Sequence, residues 1–268
     1  MRTYLHFSIF ILIFISVGFT TSAQGISMSP TRLFLTGNPG ETVSKPVILS
    51  NSSNTDYVFN INFKDWQREE NGNKIYTEPG SLENSNAAWV STQESNVSLP
   101  AKKEVEIMVR MKIPENASTS EVTNSMLFFT QIGKQKDKAD QQQGIGIITL
   151  VEFGLHVYYT PPANNTQSLD IVSIEELSDE NLNTGKVAVG IENDGNVVND
   201  ATVELELTNT ESGKEIKLKP VNISMMPAAH QTVKFTLPDN LKGTYLGVAI
   251  IKMAGTNDLR VGEKTFDF

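Results

Sequence analysis

The chain has 268 residues, 22 Lys and Arg against 31 Asp and Glu, a formal net charge of −9 and no cysteine. An acidic chain of this kind is not built for nucleic acid or anionic lipid. Without cysteine, no disulfide and no thiolate metal site contributes, so each core must stand on packing alone.

The N-terminus reads as a secretory signal peptide. Arg2 precedes an apolar run, and Thr21-Ser22-Ala23 supplies the small residues of a cleavage site. Cleavage after Ala23 leaves about 245 residues, enough for one large or two small domains. No Cys stands near the site to carry a lipid, and no later segment reaches the 18 or so apolar residues of a membrane span. The expectation is an exported, soluble protein with no integral membrane segment.

Alternation of period two then recurs along the chain. Tyr57, Phe59, Ile61 and Phe63 alternate with Val58, Asn60, Asn62 and Lys64. Val105, Ile107, Val109, Met111 and Ile113 form a second set. Val187, Val189 and Ile191, then Val203, Leu205 and Leu207, then Val233, Phe235 and Leu237, continue the pattern. Such runs are half-buried antiparallel strands. Asn71-Gly72, Asp194-Gly195 and Ser212-Gly213 fall between runs, where hairpin turns want φ > 0. No segment carries a helical stripe of normal length.

The most informative stretch is Ile145 to Tyr159. Ile145, Ile147, Val151, Phe153, Leu155, Val157 and Tyr159 share one parity, interrupted by Thr149. A polar loop, residues 133–144, precedes this run, and Pro161-Pro162 stops it. The run is far longer than a typical strand of about 5–6 residues. Its N-terminal half has more apolar face than its own sheet needs, and that face can be lent to another protein. The prolines also mark a domain boundary. The fold class expected is all-β: a signal peptide over 1–23, then two immunoglobulin-like sandwiches over 24–161 and 162–268, joined by a short linker into an L-shaped pair.

Chemistry is sparse. Beyond the leader only His156 and His230 remain, with no HExxH, no nucleophile elbow and no phosphate loop. No catalytic residue, metal site or cofactor is assigned, and an enzyme is not expected. Trp66, Trp89, Tyr57 and Tyr76 have the rings for sugar stacking, although such rings more often fill strand faces.

Several segments, taken in order, resemble the PapD-like periplasmic pilus (fimbrial) chaperones. Ser29-Pro30-Thr31-Arg32-Leu33-Phe34-Leu35 looks like that family's first strand, with its Arg. Gly40 followed by Val47-Ile48-Leu49-Ser50-Asn51 looks like the second. Leu99-Pro100-Ala101-Lys102-Lys103, Ser125-Met126-Leu127-Phe128-Phe129 and Val157-Tyr158-Tyr159-Thr160-Pro161 look like later ones.

The resemblance implies a chaperone that caps pilin-like subunits by donor-strand complementation. Ile145, Ile147, Val151 and Phe153 would fill subunit pockets, with Thr149 a weak filler among them. The four apolar side chains would contribute about 6–12 kcal/mol before ordering costs. The same strand could also self-cap a dimer. The resemblance further implies that Arg32 and a G-strand Lys hold the subunit's terminal carboxylate. His156 stands at the Lys position, so constant charge is lost there. Thr160 replaces an Arg that in the family bridges the domains, so the domain angle must be held otherwise. Trp89-Val90 departs toward other exported immunoglobulin-like envelope proteins. The alternative is therefore an envelope interaction or secretion-accessory module holding a permanent partner by the same sheet edges.

Overall fold

The computed structural model describes residues 25–133, 150–177, 185–239 and 241–268. The leader, most of the polar loop, and Ile145, Ile147 and Thr149 of the donor run lie outside the described residues.

The first sandwich is built from β1 (Ile26–Ser29), β2 (Arg32–Leu35), β3 (Thr42–Asn51), β4 (Tyr57–Arg68), β5 (Lys74–Thr77), β6 (Val90–Thr92), β7 (Asn96–Leu99), β8 (Glu104–Lys112), β9 (Thr123–Gln131) and β10 (Glu152–Tyr159). One sheet runs β1-β3-β8-β6. The facing sheet runs β2-β10-β9-β4-β5, with β7 also on β4. The first strand changes sheets at Pro30, which has no N–H to donate to either ladder.

The second sandwich follows with β11 (Asp170–Leu177), β12 (Lys186–Glu192), β13 (Asn199–Asn209), β14 (Glu215–Lys217), β15 (Val221–Met225), β16 (His230–Thr236), β17 (Thr244–Met253) and β18 (Leu259–Asp267). Its sheets run β11-β12-β16 and β14-β13-β17-β18, with β15 on β13. The protein is thus all-β, two immunoglobulin-like sandwiches in series.

The period of two dictates the packing. Each sandwich has its own core, one centred on Leu49, Phe59, Met111, Phe129 and Val157, the other on Val189, Val203, Leu205, Phe235 and Ile251. In β10, Leu155, Val157 and Tyr159 are core, and Phe153 packs against it. His156 and Tyr158, of opposite parity, face away from that core. Strand β9 is buried from Thr123 through Phe129 because both its faces are covered. Leu127 and Phe129 face the first core. Met126 and Phe128 join Trp66 and Tyr158 in a separate cluster under Val198 and Met226 of the second sandwich.

The turn expectations divide. Gly72 and Gly213 have φ of +88° and +68°, as their turns require. Gly195 does not adopt positive φ. Its lack of a side chain is needed for a different reason: a Cβ there would lie 2.5 Å from the Thr166 carbonyl and 2.8 Å from the Ser168 nitrogen. The glycine lets the inter-sandwich linker press onto the β12–β13 turn.

Candidate functional site

Two strands position the crevice between the sandwiches. Strands β2 and β10 pair in parallel, and their register sets Arg32 beside His156. Both side chains project from the face opposite the first core, toward the second sandwich.

There Arg32 meets Asp200 of β13. Its two terminal nitrogens donate to the two carboxylate oxygens, each at 2.7 Å. The bidentate geometry matches a planar fork to a planar acceptor. Arg32 also lies 3.4 Å from Ser224 Oγ and 5.5 Å from the Phe34 ring centre. Hydrogen bonding to Asp200 raises the Arg32 pKa further, against a smaller opposing effect of burial. Burial pushes the Asp200 carboxyl up, but hydrogen bonds from Arg32 and Ser224 and the Arg32 charge together outweigh it and hold it below its usual range.

His156 is neutral. Burial, with the charges of Lys74, Arg32 and Arg68, pushes it down to about 3. Its Nε2 accepts from the Lys74 ammonium at 2.8 Å. Its buried Nδ1 has no hydrogen-bond partner among the described residues. The positive charge nearest the ring is that of Lys74. Lys74 reaches the site because the Asn71-Gly72 turn folds β5 back on β4, pairing Lys74 with Arg68. Lys74 also lies 5.4 Å from the Trp66 ring centre. Its pKa is lowered by burial, Arg68 and Arg32. The hairpin was legible in the sequence. That its Lys would complete this group was not.

Aromatic rings floor the crevice. Tyr158 stacks on Phe34 at 5.0 Å and lies parallel to His156 at 5.9 Å. Trp66, 3 % exposed, meets His156 edge-on at 4.5 Å. Trp89 packs on Tyr159 and Tyr57 on Phe59, so these rings serve packing rather than a sugar platform. An open cavity of about 420 Å³, lined among others by Arg32, Arg68, Asp200 and Ser224, lies beside the pair.

The second feature of the site is the edge of β10. On one side it pairs with β9 over its whole length, Glu152 to Tyr159. On the other, β2 covers only His156 to Tyr159. His156 N–H donates to the Thr31 carbonyl on that side. By the period of two, the backbone groups of Gly154 and Glu152 face the same side, with no strand partner among the described residues. Val151 exchanges hydrogen bonds with Gln131: its N–H with Oε1 at 3.0 Å, its carbonyl with the N–H at 2.9 Å. Phe153 lies 6.0 Å from Phe59, seated in the protein's own packing. Leu150 is exposed.

The sandwiches are further tied by Thr232 N–H to the Glu70 carbonyl at 2.6 Å. Asn164 Nδ2 bridges the Ser120 and Asn196 carbonyls at 2.7 and 2.8 Å. With Arg32–Asp200, these contacts tie the two sandwiches together. Among the described residues, no helix is long and apolar enough to cross a membrane, and no group of three or more His, Cys, Asp or Glu is placed to hold a metal.

The site and fold define a two-sandwich protein with a basic inter-sandwich crevice and, beside it, a strand edge that has no partner over Glu152–Gly154 among the described residues. No protein-family model matches the chain, and no curated protein does. Solved structures similar to it include the class 5 fimbriae chaperone CfaA, 15 % identical over 90 % of this chain and 99 % of that one, with a TM-score of 0.49. The YadV chaperone is 10 % identical over 90 % and 99 %, also at 0.49. A chain of the CsuC–CsuE chaperone–tip adhesion subunit complex from Acinetobacter baumannii is 12 % identical over 89 % and 97 %, at 0.47. Function has to be argued from the site.

Proposed function

We propose that the protein is a periplasmic, non-enzymatic chaperone that caps pilin-like subunits by lending them a strand. The observation that carries this reading is the half-open edge of β10, where β2 stops at Arg32 while β10 continues toward its N-terminus. An unpaired edge with an adjoining apolar run is a template for β-augmentation: main-chain hydrogen bonds give affinity and alternate side chains give specificity. Ile145, Ile147 and Val151, with Thr149 between them, are the pocket-filling side chains. Phe153, anchored on Phe59, ends the donated segment and fixes it to the chaperone's own core.

In this reading the domains divide at 161/162, and the crevice beside the edge receives the subunit's terminal carboxylate. Arg32 supplies the bidentate guanidinium. Lys74 supplies the ammonium that His156 cannot, with His156 orienting it through Nε2.

The test is capture of periplasmic partners by the mature protein, wild type beside the Ile147→Asp/Val151→Asp double variant. Two unpaired charges facing an apolar groove cost several kcal/mol. Loss of small, strand-deficient subunits from a still-folded variant supports donation. Unchanged partners, or a stoichiometric complex with a large envelope component, would instead make the chain a permanent interaction module.

A further inference from the structure

The crevice holds more cations than carboxylates. Arg32, Arg68 and Lys74 converge on it, as the electrostatic neighbours of His156 make plain. Asp200 is the one carboxylate paired with any of them among the described residues. Arg68 spends one nitrogen on the Gly72 carbonyl, and Lys74 spends its ammonium on a neutral ring. Lys252, at the far side of the cavity, is already paired with Glu204 at 2.7 and 2.8 Å. The neighbourhood is therefore short of negative charge even with Asp200 in place.

The Arg32–Asp200 pair is also reachable. Its side chains are 36 % and 33 % exposed, and the cavity opens beside them. An ion pair at that exposure is screened by solvent and salt, and another carboxylate of the same bidentate shape can compete for the guanidinium. The two partners belong to different sandwiches, so exchanging the anion removes one tie between them. The apolar cluster around Trp66 and Met226 and the Thr232–Glu70 hydrogen bond stay in place.

We propose that Asp200 is an internal competitor for the carboxylate site: a partner's carboxylate displaces it from Arg32, and the displacement loosens the inter-sandwich joint. This rests on the chaperone reading, and it adds that the empty protein carries its own stand-in for the client's terminal group. A protein whose competent state is only partly populated binds more weakly by that fraction. Asp200 thus lowers affinity for any carboxylate until an attached strand has raised its effective concentration.

The probe is an acetylated hexapeptide of alternating Thr and Val with a free C-terminal carboxylate, beside the same peptide as its amide, both titrated by NMR. Asp200→Asn is expected to bind the carboxylate peptide about five- to ten-fold more tightly than wild type, with no gain for the amide. Glu206→Gln removes the same charge from the same strand, where its partner is Lys217 and not a cation lining the cavity, and is expected to show no gain.

Because the chain has no cysteine, a label pair at Ser44→Cys and Lys234→Cys reports the inter-sandwich distance directly. Saturating wild type with the carboxylate peptide is expected to move that distance toward the value of Asp200→Asn alone. Equal gains in Asp200→Asn and Glu206→Gln would reduce the effect to general electrostatics and overturn the proposal. So would a wild-type distance that saturating peptide leaves unchanged, or equal affinity of both chains for acid and amide. None of these results touches capture through Ile147 and Val151. If the latch fails while that capture persists, the chaperone reading stands. If wild type captures no such subunit, or the double variant keeps the same partners, the reading itself is at fault.

Discussion

The Lys74 ammonium donates to His156 Nε2 across 2.8 Å, and this contact works only while the ring is neutral. A second proton would set two cations against each other on a half-buried ring. The His156 pKa of about 3 lies well below the ordinary 6.5, so an unfolded chain takes up a proton that the folded one refuses. The unfolded state binds more protons between those values, and stability must rise with pH there. This contribution is complete above about pH 6.5 and is lost as pH falls toward 3. Urea unfolding at pH 4.5 and pH 7 checks it: wild type should lose more stability on acidification than His156→Gln, by about 1–3 kcal/mol.

Gly154 sits under the crevice wall. A Cβ there would come 2.5 Å from Met126 Cε and 3.3 Å from Phe128 Cε1. Met126 is the flexible end of a side chain, so Gly154→Ala should be mild. Gly154→Val adds bulk that cannot be accommodated and should destabilise by about 1–3 kcal/mol, read as a fall in Tm.

Asp65 is fully buried and has no basic partner among the described residues. Its oxygens accept from Leu82 N–H at 2.9 Å and Ser85 Oγ at 2.6 Å, pinning the segment between β5 and β6. Asp65→Ala leaves both donors unsatisfied and should cost about 2–4 kcal/mol, whereas Asp65→Asn, which keeps one acceptor, should cost less. Denaturant midpoints at constant m-value separate the two.

Gly195→Ala places a methyl group against backbone, not against a movable side chain. The linker must shift, and we expect a loss of about 1–3 kcal/mol with increased exchange of the amides of 164–168. Gly213→Ala tests positive φ alone, since nothing lies within 4 Å of its Cβ position, and should cost about 1 kcal/mol.

What the sequence revealed follows from the range of each interaction. Strand parity is local, so the inward set Leu155, Val157 and Tyr159 could be read from alternation alone. The Asn71-Gly72 hairpin is local too. Arg32–Asp200 spans 168 positions and joins two domains, and no spacing rule reaches that far. The resemblance marked Arg32 for an external carboxylate but could not show that an internal one already holds it. Phe153 has the same parity as Ile147 and Val151. Its packing against Phe59 is a long-range contact that alternation does not show.

The central claim is that the segment before Phe153 is donated to another protein. The most direct test is site-specific photocrosslinking in cells of the source organism, with a benzophenone side chain placed in turn at 147, 151 and 157. Donation predicts crosslinks to a small, strand-deficient subunit from 147 and 151, and none from 157, which is fully buried in the first core. Absence of intermolecular crosslinks from 147 and 151 in a folded protein would contradict it.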